Sequence, residues 1–100
     1  MATTYKQAYN NVLAAGDITV YTVPTATEAQ IRALTIFNPT ASTVTALVKL
    51  GINQFIEKAI TTKSTLVVSE LFNQQLIATG TVIVNGTGLN VILSVAEITK

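Results

Sequence analysis

Residues Gln30–Leu50 read QIRALTIFNPTASTVTALVKL, and the fold class turns on how they are parsed. Two runs rich in Val, Ile, Leu and Thr flank a polar break, Asn38-Pro39-Thr40-Ala41-Ser42. Such side chains suit a pleated, half-buried surface, and Asn and Pro mark a turn. The stretch is therefore expected to be a β-hairpin whose strands are long enough to cross a sandwich. In the first run Leu34 and Ile36 share one parity, and Ile31, Ala33 and Phe37 share the other. In the return run Val44, Ala46, Val48 and Leu50 stand together against Thr43, Thr45, Leu47 and Lys49. Successive side chains of a strand point to opposite faces, so Leu34 and Ile36 join those four in the expected core. Ile31 and Phe37 then fall on a second, partly covered face. That points to a neighbouring subunit.

Downstream, Gly51-Ile52-Asn53-Gln54 is a turn, and Phe55–Ile60 reads as an exposed edge strand with Glu57 and Lys58 guarding it against sheet addition. A short helix over Gln54–Ile60 is an open alternative. Thr65–Leu71 reads as a strand, broken by Asn73-Gln74-Gln75 before Leu76–Thr79, with Gly80 marking a turn or bulge. Thr81–Val84 is a strand, Asn85-Gly86-Thr87-Gly88 is the clearest hairpin turn, and Leu89–Val95 is a long last strand continuing through Ile98. Upstream, Gly16-Asp17 turns the chain into Ile18–Val23, which Pro24 stops by removing a ladder donor. Residues 2–10 are either a frayed terminus or short edge strand, or an extended arm. In the second case Tyr5 and Tyr9 would fill pockets on a neighbour, and removing the arm would leave the fold intact. The expected organisation is an N-terminal arm over 1–10 and a single domain over 11–100. With seven or eight short strands, regular turns and no long helical period, the fold class is all-β, an antiparallel β-sandwich or jelly roll.

Composition limits the job. Of the 100 residues, 49% are hydrophobic and 11% charged, against about 25% charged in ordinary soluble domains. A chain this small hides only roughly 60–65% of its unfolded surface, so part of its apolar side chain is expected in contacts with other copies or partners. The net charge is +1, and Lys6, Arg32, Lys49, Lys58, Lys63 and Lys100 are scattered. No basic run neutralises a row of phosphates, which argues against nucleic acid as a partner. The polar start, Met-Ala-Thr-Thr-Tyr-Lys, is not expected to act as a secretory signal, and no apolar run nears the ~20 residues of a membrane span.

Reactive chemistry is sparse. The chain has no His, Cys or Trp, so no side chain titrates near neutrality without a large shift, and no Ser has a histidine base. Asp17, Glu28, Glu57, Glu70 and Glu97 are isolated in sequence. No calcium loop, zinc ligand set or phosphate-cradling glycine motif is present. The expectation is a protein that is not an enzyme, with no catalytic, cofactor-binding or metal-binding residues. The candidate functional residues are interface residues: Tyr5, Tyr9, Ile31, Ala33 and Phe37.

Three segments carry a family resemblance: Ile18-Thr19-Val20-Tyr21-Thr22-Val23-Pro24, Ile31–Asn38 with its small-residue turn, and the closing Asn90–Ile98. Over roughly residues 11–99 the chain resembles small β-sandwich virion proteins of tailed bacteriophages, found as capsid decoration (cement) proteins and in tail or fibre modules. Such relatives often place Gly-Asp before the penultimate strand, where this chain has Gly80-Thr81. The resemblance implies a homotrimer that is made in the host cytoplasm. It would sit on the virion surface and clamp neighbouring major capsid protein subunits. A tail, neck or fibre component and a carbohydrate- or receptor-binding module are the alternatives.

Overall fold

Alternating apolar and polar side chains give nine strands in a computed structural model that describes residues 2–51, 53–69 and 74–99. They are β1 (Ala2–Val12), β2 (Asp17–Thr22), β3 (Thr27–Phe37), β4 (Val44–Leu50), β5 (Asn53–Ile60), β6 (Thr65–Val67), β7 (Gln75–Leu76), β8 (Thr81–Asn85) and β9 (Asn90–Thr99). Two antiparallel sheets result, one ordered β1-β9-β3-β6 with β7 also on β3, the other β2-β8-β4-β5. This is the strand order of a jelly roll. Two of the nine strands are only two and three residues long, which accounts for the count above seven or eight. The helical alternative over 54–60 does not occur: β5 is a strand on the edge of its sheet, as its charges suggested. Glu70, the end of the expected Thr65–Leu71 strand, Asn73, Ile52 and Lys100 lie outside the described residues.

The expected hairpin at Gln30–Leu50 is not one. β3 belongs to the first sheet and β4 to the second, so Asn38–Thr43 carries the chain across the sandwich. A six-residue link is long enough to span the ~10 Å between packed sheets, and a buried asparagine fixes its path. Asn38 is fully buried, and its Nδ2 donates to the carbonyls of Ser42 and Ile60 at 2.8 Å each. Its Oδ1 accepts from the Thr40 amide at 2.9 Å and hydroxyl at 2.6 Å. The Asn85–Gly88 turn likewise crosses from β8 to β9 instead of closing a hairpin. There Gly86 lies so close to the buried Leu89 that an added Cβ would sit 2.4 Å from Leu89 Cδ1. Gly88 takes φ +86° and donates its amide to the Leu13 carbonyl, tying the crossing to the β1–β2 link. Among the described residues the one hairpin between neighbouring strands, β4–β5, turns at Gly51, whose φ of +65° suits glycine.

The core fills the space between the sheets. Leu34, Ile36, Ala46 and Val48 are buried there, with Val44 and Leu50 packed against the cluster, as their parity required. Ile31 is a correction: it is fully buried in that core, not on the second face. The pairing of β3 with β9 slips by one residue between Ile31 and Ala33, so Arg32 is an extra residue on β3. Such a bulge resets the parity, putting Thr27, Ala29 and Ile31 inward before it and Leu34 and Ile36 inward after it. Residues 2–10 form most of β1, paired with β9 from Ala2 to Val12 with one bulge near Ala8. Ala8 and Tyr9 pack against the core. Removing this segment would strip β9 of a partner and uncover core, so it is part of the domain.

Candidate functional site

β9 lies between β1 and β3, and residues paired across strands share a face. The outer face of this sheet is thus built in rows: Tyr5–Ala96–Gln30, Gln7–Ser94–Ala33, Asn10–Ile92–Thr35 and Val12–Asn90–Phe37. β6 extends the last two with Val67 and Thr65. Tyr5 is 67% exposed, Val12 55% and Val67 51%, and Ile92 is also exposed. These rows carry no charge; beside them stand Arg32, which the bulge turns outward and whose guanidinium lies 4.9 Å from the centre of the Tyr5 ring, and Glu28, in the adjoining row Thr3–Ile98–Glu28.

Two shallow depressions mark the face. One, of about 450 Å³, is lined by Asn10, Asn11, Val12, Thr35, Phe37, Asn90 and Ile92. Near the other end, Tyr5, Lys6, Arg32, Ser94 and Val95 line a smaller one of about 350 Å³. Of the five candidate residues, Tyr5, Ala33 and Phe37 share this face. Tyr9 does not, because its partner Leu93 faces the core, and Ile31 is interior. Arg32, Val12, Ile92 and Val67 were missed. The alternation Asn90, Ile92, Ser94, Ala96 against Val91, Leu93, Val95 held the signal for Ile92.

The opposite outer face has a different character. There Lys49 Nζ is 2.8 Å from Asp17 Oδ2, Asn85 Nδ2 donates to Asp17 Oδ1 at 2.8 Å, and Glu57 projects from β5. Those hydrogen bonds, Lys49's first, hold the Asp17 carboxyl below its ordinary range. The remaining ionic group joins the sheets. Tyr21 of β2 donates its hydroxyl to Glu97 Oε2 of β9, and Lys6 Nζ of β1 stands 3.2 Å from the same oxygen. Burial, then the bond to Glu97 and its charge, push the Tyr21 hydroxyl's pKa upward. Among the described residues no three acidic side chains gather as metal ligands would.

No protein-family model and no curated protein matches the chain. Among solved structures, 98% of the chain aligns with a chain of infectious bursal disease virus, Gx strain, at 13% identity and a TM-score of 0.45. It spans about a third (32%) of that chain's length. Likeness of that depth is silent on function.

Proposed function

We propose that this chain is a non-enzymatic virion structural protein of the capsid decoration (cement) type. It binds the outer surface of a major capsid lattice as a homotrimer and stabilises that lattice. The observation that carries the reading is the outer face of β1, β9 and β3, where Tyr5, Val12, Ile92 and half-buried Phe37 lie among neutral polar side chains, with Arg32 and Glu28 toward the Tyr5 end. A charge-depleted face with aromatic and aliphatic anchors has the make-up of an interface core. Repeated over a lattice, modest contacts of this kind gain strength through avidity.

Incubation of labelled protein with empty capsids, followed by electron microscopy, tests the proposal. Decoration should cover the shell, and Ile92→Lys should abolish it without lowering the melting temperature. Label at a single vertex would instead identify a tail, neck or fibre component. Undiminished decoration by the variant would remove this face from the contact. The larger depression favours a second reading, a neutral glycan held by Asn10, Asn90 and Thr35 with its apolar side on Phe37 and Ile92. Glycan-array binding that Asn90→Ala abolishes would establish that reading.

A further inference from the structure

An edge strand presents a row of unpaired backbone N–H and C=O groups, and proteins guard such edges with charges, proline, bulges or brevity. Three of the four edges here are guarded. β5 carries adjacent Glu57 and Lys58 and a bulge beside Ile56. β2 is six residues long, is bulged near Val20, and is followed by Pro24. The third, opposite β1 in its sheet, is split between β6 and β7, of three and two residues.

β1 has only two of these protections over its whole length, the Ala8 bulge and Lys6. It is 11 residues long, about 37 Å of strand, and pairs with β9 alone. It contains no proline, and its single charge, half-exposed Lys6, is paired within its own chain, 3.2 Å from Glu97 and 5.9 Å from the centre of the Tyr21 ring. The charge that could repel an incoming strand is already engaged with its own chain. What the edge offers instead is Thr3, Thr4, Tyr5, Gln7, Asn10 and Asn11, which suit a polar cross-strand ladder.

We infer that β1 pairs antiparallel with β1 of a second copy of this chain, joining the two β1-β9-β3-β6 sheets into one. A strand meets its own copy in this way only about a two-fold axis, and the contact is then self-complementary, needing no second kind of surface. An axis perpendicular to the sheet keeps both outer faces on one side, so the two charge-poor faces merge into a single larger one. The one cation on each edge, half-exposed Lys6, is paired with Glu97 of its own chain, which offsets its repulsion of the other copy. The inference deepens the proposed role: the two-fold joins subunits in pairs, also when those subunits belong to two trimers.

The chain lacks cysteine, so single-cysteine variants report the contact directly. Thr3→Cys, Tyr5→Cys, Gln7→Cys, Asn10→Cys and Val12→Cys are oxidised mildly, with Thr19→Cys on β2 and Ala59→Cys on β5 as controls. Disulfide-linked dimer should peak at one or two neighbouring β1 positions, where the strand meets its own copy, and be several-fold weaker at the controls. Light scattering of the parent should give an even number of subunits. The double variant Gln7→Lys/Asn10→Lys, both positions exposed, should halve the mass and keep the parent's circular dichroism. A parent that is monomeric or an isolated trimer, or cross-linking as strong on β2 or β5, overturns the inference. Ile92→Lys on β9 separates this contact from capsid binding, since it should keep the even subunit count while decoration is lost. Cross-linking at β1 in a protein that never binds capsids leaves the strand pairing standing and removes the decoration role.

Discussion

Asn38 is a fully buried polar side chain at the end of an apolar sandwich, and every hydrogen-bonding group it carries is occupied. Its backbone amide also donates to the Ser64 carbonyl, and its carbonyl accepts from Lys63. One residue thereby fixes the β3–β4 crossing and the β5–β6 crossing together. Asn38→Ala would take its side-chain donor from the Ile60 carbonyl and leave the Ser42 carbonyl only the Thr40 hydroxyl, and should cost about 2–4 kcal/mol in urea unfolding. Tyr21 makes a prediction at high pH. Its folded pKa is raised, so its contribution is complete below the ordinary tyrosine value of 10.0 and is lost as pH rises beyond it, when only the unfolded chain gives up the proton. Tyr21→Phe should therefore lose less stability than the parent between about pH 10 and 12, measured by urea midpoint. Neither role was legible in sequence. Asn38 reads there as an ordinary turn residue, and the meeting of Tyr21 with Glu97 joins positions far apart in the chain.

At the scale of the element, strands were legible and their partners were not. A period of two shows in any half-buried strand, and Val44, Ala46, Val48 and Leu50 fell as their parity demanded. Whether two strands joined by a short polar link share a sheet depends on where that link is anchored. Asn38 and Gly86 supply the anchors here, through contacts with Ile60 and Leu89. The β3 bulge hid Ile31 for a related reason: one added residue inverts the parity of everything before it. That leads to a paired prediction. Deleting Arg32 restores plain alternation, with Ile31 and Leu34 both still inward, and should cost only about 1–2 kcal/mol. Deleting Thr35 would turn Ile36 outward and Asn38 away from its carbonyls, and should abolish the cooperative thermal transition. Equal loss from both deletions would mean that the bulge, rather than parity, holds the strand.

The whole molecule exposes 5316 Å², close to the roughly 5,500 Å² of a compact monomer of its mass of 10.6 kDa. No segment of the described chain projects as an arm would. The composition therefore expresses itself in the kind of surface and not in its extent: one broad face poor in charge, with Arg32 and Glu28 toward one end, the other bearing Asp17, Lys49 and Glu57. Sequence pointed to such a face through Tyr5, Ala33 and Phe37. It could not assemble it, because the rows are completed by β1 and β9 from opposite ends of the chain.

That pairing of first strand with last also sets when the protein can fold. In the first sheet β1 and β3 do not pair with each other; each is hydrogen-bonded to β9. Until the ribosome has released residues 90–99, both have apolar faces and open ladders with nothing between them, and loop-closing entropy opposes their meeting. Folding must then wait until residues 90–99 have emerged, leaving the growing chain to be shielded from its neighbours. Chains stalled with residue 89 as the last outside the ribosomal tunnel should be degraded by a brief protease pulse, and those stalled beyond residue 99 should survive it.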